Sequence, residues 1–560
     1  MKGMLHRHKN MKRNSKQHLH GAIAKRREAP EVPLCNLPLE ILSQILSRLP
    51  ISDAIRTSVL SRKWKYVWRG HTNLTFDSAT MRRYYFKGPT ESGIVSDKEF
   101  IARVNTVLHQ HSGLGVEHME VKHMLNNKHG DHVDGWVNFA IASKTKELII
   151  DLSGGHKMSL SSDLLYGIQR VREEPYHLPS QLFSADNGSC LRFLDLTSVF
   201  LQLPADFNGF MNLKNLTLVD VGITDEDVQC MLSRCNRLEF FEIAYCRLVT
   251  GIRMPHPSKQ LKHLLVDRCP LLQVIELNCS PTALVYTGNM VPFIFASTSK
   301  LTNICIKFLT SHPCLYYMVT GFPSTLPSLE TLTLHCAEVE RTVLPRTSFK
   351  FTNLRHLSLE LVLSGDEERE TDLLDYGYLL EVAPFMETLE LHMWMNCRRK
   401  PYRKEDGELR IHPPHQHAHL KSVRISGFFG QKDQVELALH ILRSSVVLKK
   451  MEITPRVEIS DCAESAKRYY QRTEYVDGHK VATEFVCKAD HRNVVDVVRA
   501  SFSWGPPLDY VHRTGGVQGA SQLRGSLSRL LKGGQMRTVT RSKRRKLSFK
   551  KHKTSAQRMC

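Results

Sequence analysis

Apolar residues follow two periodicities along this chain. From residue 37 to residue 50 they recur at helical spacing: Ile41, Leu42, Ile45, Leu46 and Leu49 mark one face, and Pro50 ends it. Asn36 is placed to cap this helix, and Pro38 suits its first turn. Ser52 is expected to cap a second short helix carrying Ala54, Ile55 and Val59. A third helical stretch sets Leu60, Trp64, Val67 and Trp68 on one side. Three short helices bury too little surface to be stable alone, so part of this apolar surface is expected to face a partner or the following domain.

Further on, the pattern changes to apolar-x-x-apolar-x-apolar. It begins at Val116 and recurs from Leu191, Leu213, Leu238, Leu261, Leu272, Leu301, Leu329 and Leu354, with weaker copies from Met386, Leu420 and Leu448. Leu148–Leu152 reads as a further strand. The intervals, mostly between about 22 and 34 residues, bracket and overrun the period of a leucine-rich repeat. Each copy supplies a short strand whose leucines point inward, and a return segment closes the turn. Asp225–Cys235, with Val228, Met231 and Leu232 at helical spacing, is one such return. Stacked units predict an α/β solenoid, curved and uneven, with a parallel sheet on its concave side and a continuous leucine core. Cys246, Cys269, Cys279 and Cys336 fall just past repeat strands, where a thiol can bond backbone groups inside the turn, and are read as core thiols. Ser96 to Glu99 reads as a capping box opening a helix with Phe100, Val104, Val107 and Leu108 on one face.

Charge divides the chain differently. The net charge is +21, of which residues 1–30 carry +8 and residues 511–560, with no acid, carry +14; this leaves 31–510 at −1. A basic groove running through the fold is therefore not the source of the excess. The basic ends are too polar and too rich in Gly and Ser to fold alone. The clusters Lys25–Arg27 and Lys543, Arg544, Arg545, Lys546 admit three readings: nuclear import, non-specific polyanion contact, or a solvated tail. Aromatic residues do not interleave with these cations, so sequence-specific nucleic-acid binding is not expected.

The residues 34–68, Leu-Cys-Asn-Leu-Pro-Leu-Glu-Ile-Leu through the Asp53–Ser61 run to Trp64 and Trp68, resemble an F-box without a gap. The form is that of plant F-box/leucine-rich-repeat proteins. Val133–Leu152 is similar to the linker these proteins carry before their first repeats, and His419–Ile453 to their FBD-type end. The resemblance implies docking onto a Skp-family adaptor and, through it, a cullin scaffold, as the substrate-recognition subunit of an SCF-type ubiquitin ligase with an unknown protein substrate. By position it assigns adaptor contact to Leu37, Pro38, Ile41, Leu42, Ile45, Leu49, Val59, Lys63 and Trp64. A leucine-rich-repeat scaffold outside any ligase is the alternative, and a protein working on nucleic acid through its tails a third.

The organisation expected is a basic tail (1–33), the F-box (34–80), a linker helix with irregular repeats (96–190), regular repeats (191–410), FBD-like repeats (411–455), a small cap (456–510) and a second basic tail (511–560). Within the cap, short helices are expected around Ala463–Tyr470 and Asn493–Ala500. No nucleotide-binding glycine loop, nucleophile elbow or zinc-protease motif occurs, so neither a catalytic residue nor a cofactor is expected. His412, His415, His417 and His419 have ligand-like spacing, but nearby prolines and the lack of an acidic partner point to an exposed loop, not a metal site. Leu277–Ser299 is uncharged, yet Pro281, Gly288 and Pro292 break it into buried strands and turns instead of a membrane span. Without a secretory signal, a nuclear or cytoplasmic location is expected.

Overall fold

A computed structural model describes residues 37–81, 95–154, 174–183, 190–254, 260–278, 281–296, 298–309, 314–338, 350–363, 371–395, 400–413, 415–459 and 473–499. Both basic tails, Asn36, the expected helix at 463–470, Cys279 and the Cys336 side chain lie outside them.

Among the described residues fifteen strands form one sheet, and every pairing in it is parallel. The strands follow chain order: Asn73–Asp77, His118–Lys122, Glu147–Asp151, Phe193–Thr197, Asn215–Val219, Phe240–Ala244, His263–Asp267 and Ala283–Gly288 come first. Asn303–Phe308, Thr331–Glu338, His356–Leu363, Thr388–Met395, Ser422–Ser426, Lys450–Thr454 and Val495–Val497 complete it. Alternation sets each strand's orientation. Leu194 and Leu196, Leu216 and Leu218, Phe241 and Ile243 stand in register and are buried, as the repeat pattern requires. The result is the curved α/β solenoid, and one apolar core runs from Leu42 to Val486.

Return segments differ from turn to turn. Asp225–Arg234 is a helix with a reciprocal capping box between Thr224 and Asp227, burying Val228 and Met231. The helix α3 (Asp97–Gln110) begins at Ser96, whose side chain accepts the Glu99 N–H, and buries Phe100, Val104, Val107 and Leu108. Lys432–Ser444 lies between the strands Ser422–Ser426 and Lys450–Thr454 with Val435, Leu439 and Leu442 buried. The turn before it needs Gly427: φ is +70° and a Cβ there would meet the Met393 carbonyl oxygen at 1.9 Å. Cys246 and Cys269 are buried thiols pointing at backbone oxygens, the first 3.5 Å from the Ala244 carbonyl and the second 3.9 Å from that of Asp267.

Several expectations are corrected. The copy Leu272-x-x-Ile275-x-Leu277 does not enter the main sheet: Val274–Leu277 is the middle strand of a separate three-stranded sheet, between Gly251–Arg253 and Phe293–Phe295. Its place in the main sheet belongs to Ala283–Gly288, where Pro281 stands at the first apolar position and Tyr286 at the last. Residues Val495–Val497, expected in a helix, instead form the last strand, paired with Met451–Ile453. Before it, Thr473–Val481 is helical and runs into a π-helical segment, Ala482–Cys487. His417, expected on an exposed loop, is 1% exposed: its Nδ1 accepts the Leu420 N–H at 3.0 Å and its Nε2 donates to the Ala383 carbonyl at 3.0 Å. That histidine serves backbone groups. Among the described residues no group of histidines, cysteines and carboxylates is arranged to hold a metal ion, and no helix is long and apolar enough to cross a membrane.

Candidate docking surfaces

The helices α1 (Leu39–Leu46) and α2 (Ile51–Arg56) open the described chain, each entered from a proline, Pro38 and Pro50. Ser52 thus lies inside α2 and does not cap it. The third expected helix is a 3₁₀ segment, Trp64–Gly70, preceded by a short 3₁₀ turn, Thr57–Val59. Burial divides α1 lengthwise. Leu42 and Leu46 lie against the core with Ile51, Ala54, Trp64 and Trp68. One residue away on α1, Ile41 and Ile45 stand exposed one i+4 step apart, and Leu49 is exposed in the turn beyond the helix; Leu39, at its first residue, is exposed too. Val59, at 85% exposure, and Leu60, at 64%, are the most open of the large apolar residues in this unit. Isolated apolar residues on a surface are ordinary, but a contiguous set on one small unit marks an interaction site.

Of the nine residues expected to contact an adaptor, Pro38, Ile41, Ile45, Leu49, Val59 and Lys63 are exposed and Leu37 is half-buried. Leu42 and Trp64 are corrected: both are buried and build the core beneath the surface. The Lys63 ammonium donates to the Leu37 carbonyl, tying the third segment to the entry of α1. Leu39, Leu60 and Tyr66, outside that set of nine, are also exposed on the same unit.

The helical unit continues directly into the sheet. His71, 2% exposed, donates from Nε2 to the carbonyls of Leu46 (2.9 Å) and Leu49 (3.1 Å), and its Nδ1 accepts the Asn73 N–H. Two residues on, the first main-sheet strand begins. His111, which caps the C-terminal end of α3, donates from Nε2 to the His71 carbonyl at 2.9 Å. Burial, partly offset by that hydrogen bond, lowers the His111 pKa.

The second surface is the side of the sheet turned away from the core. Over its later strands it carries paired titratable groups: His335 Nδ1 lies 2.7 Å from Glu360, and Glu390 is 3.6 Å from both His356 and His392. His392 Nδ1 also meets the Ser426 hydroxyl at 2.8 Å. Burial works against the charged form of Glu360 and Glu390, yet their histidine partners hold both carboxyls below the usual range. Burial and the nearby Arg268 push Lys307 down to about 8. The repeat pattern leaves these positions unconstrained, so nothing in it points to them. Chemically, the first surface offers apolar anchors and the second a polar face of mixed sign, both suited to holding another macromolecule.

Comparison with known proteins agrees with this geometry. Residues 34–75 match the F-box domain, and residues 107–486 match the At1g61320/AtMIF1 leucine-rich-repeat domain. The chain therefore belongs to that leucine-rich-repeat family and carries an F-box at its N-terminal side. It is 28% identical over 392 residues to the F-box/FBD/LRR-repeat protein At1g13570 of Arabidopsis thaliana, covering 65% of this chain and 85% of the relative. To the F-box/FBD/LRR-repeat protein At5g56420 of the same plant it is 25% identical over 439 residues, covering 76% and 91%. The plant F-box/leucine-rich-repeat resemblance with an FBD-like segment thus holds, and a protein-interaction role follows from the two domains.

Proposed function

We propose that this protein is the substrate-recognition subunit of an SCF-type ubiquitin ligase. The F-box docks on a Skp-family adaptor, which links it to a cullin, and the face of the sheet turned away from the core holds a protein substrate. The supporting observation is the exposed pair Ile41 and Ile45 beside the fully buried Leu42 and Leu46 on the same short helix, with Leu49 exposed in the turn that follows. Such a helix has an apolar face that its own fold does not use. No bond-making side chain is required of this chain, because its contribution is proximity: fixing substrate and ligase to one body raises their effective concentration. The basic tail, with its charge concentrated at Lys543, Arg544, Arg545 and Lys546, directs the protein to the nucleus. Co-purification of the intact chain with an adaptor and a cullin tests the ligase reading. Recovery of the adaptor without the cullin would favour the scaffold alternative.

A further inference from the structure

The F-box and the solenoid are joined by more than a shared core. A chain of hydrogen bonds runs from the Leu46 carbonyl at the end of α1 and the Leu49 carbonyl in the turn after it, through the His71 ring and the His71 carbonyl, to the His111 ring at the end of α3. Each ring is fixed from both sides. The Nδ1 of His71 accepts from the Asn73 N–H (3.2 Å) and that of His111 from the Gly113 N–H (3.0 Å), which leaves each Nε2 as the donor. Backbone bonds flank them: Ser112 N–H donates to the Arg69 carbonyl at 2.9 Å, and Glu117 N–H to the Thr72 carbonyl at 2.8 Å.

His71 also occupies a repeat position. In His71-x-x-Leu74-x-Phe76 it stands where later repeats carry a leucine, directly before the first strand of the sheet. A leucine there would fill the core equally well. It could not reach back to Leu46 and Leu49, nor organise the carbonyl that His111 grips. Apolar packing is tolerant of small rotations, whereas a directional bond weakens steeply off its axis. Two consecutive buried histidines therefore define an angle that hydrophobic contact alone leaves loose.

We infer that His71 and His111 are positioning residues that set the angle at which the solenoid is carried on the F-box. Whatever the solenoid holds is then presented at a fixed distance from the adaptor; this consequence rests on the receptor reading above, while the geometry does not.

Spin labels introduced at the exposed positions 62 and 237 of the full chain report the angle as a distance distribution. A single narrow distribution is expected for the wild-type chain. His71→Leu combined with His111→Leu should at least double its width, while His71→Gln, which keeps a side-chain donor, should stay close to wild type. His111→Leu alone leaves the bonds within the F-box untouched and should broaden the distribution even if the double variant fails to fold. An unchanged width in His111→Leu, with the chain folded by circular dichroism, overturns the proposal and assigns the angle to the apolar core. In a reconstituted ligase the His111→Leu chain should bind the adaptor with wild-type affinity but be ubiquitylated on a wider set of its own lysines. Failure of the wild-type chain to bind the adaptor would defeat the receptor reading without touching the distance measurement.

Discussion

Ile45 and Leu46 are consecutive residues on α1, yet Ile45 is 38% exposed and Leu46 is 1% exposed. A helical step of about 100° turns one to solvent and the other to the core. This separates docking from stability at single-residue resolution. Leu46→Asp should unfold the helical unit, because a buried unpaired carboxylate costs several kcal/mol, roughly. Ile45→Asp should leave the thermal midpoint nearly unchanged, since surface substitutions usually fall within about 0.5 kcal/mol. Thermal denaturation of the two variants checks the assignment.

The solenoid core makes a parallel prediction. Leu332 is 3% exposed, in register between Ile304 and Leu357. Leu332→Asp should destabilise the neighbouring turns by several kcal/mol, on the order of what an uncompensated buried charge costs. Wild-type thermal stability in that variant would contradict the strand phase.

Arg410 ties two return segments together. Its guanidinium pairs with Asp372 and Glu436, and the Glu436 side chain is fully buried on the helix Lys432–Ser444. Arg410→Ala leaves that carboxylate with the residue-410 backbone N–H but no counter-charge, and should cost about 3 kcal/mol, the low end for a broken buried pair because Arg410 is itself half-exposed and one hydrogen bond survives. Arg410→Ala with Glu436→Leu should recover much of the loss. A urea titration measures both.

Histidines set the response to acid. Burial is the leading cause of lowered pKa values at His111, His123, His263, His417 and His440. A histidine with a folded pKa below 6.5 binds its proton first in the unfolded chain, so stability falls as pH drops from 6.5 towards the folded value. His118, raised by Glu120 and Glu147 against its own burial, has the opposite sign: its contribution is full below pH 6.5 and fades as pH rises through its folded value. The chain should lose stability between pH 7.5 and 5.5, and the loss should be smaller in His417→Gln. An equal loss in wild type and variant would mean that His417 does not contribute.

Most of the solenoid was legible because each turn repeats one constraint, a leucine pointing inward at three fixed places. The misplacements mark where other physics satisfied that constraint. Ala283–Gly288 fills its turn with Pro281 and Tyr286, and Asn73–Asp77 is preceded by His71 in the leucine position, so neither matched. Leu272-x-x-Ile275-x-Leu277 matched and belongs to the second sheet, since inward leucines are required of both sheets. The F-box face was legible by resemblance. Its division into stripe and core was not, because Ile41, Leu42, Ile45 and Leu46 are equally apolar and only packing distinguishes them. The paired charges at Glu360 and Glu390 were hidden for the reverse reason: outward positions obey no period.

The tail prediction rests on charge placement alone. Replacing residues 543–546 by alanine should shift a fluorescent fusion towards the cytoplasm without altering adaptor binding. An unchanged distribution, with deletion of residues 25–27 also without effect, would leave the tail as a solvated end.

The most direct measurement of the account is a titration of the purified chain with a Skp-family adaptor, comparing wild type with Ile41→Asp/Ile45→Asp. Saturable binding by the wild-type chain is predicted, weakened at least a hundredfold in the variant, with both proteins giving the same circular dichroism and thermal midpoint. Equal affinity of the two folded proteins, or no binding by the wild type, would contradict the assignment of this stripe as the ligase-docking surface.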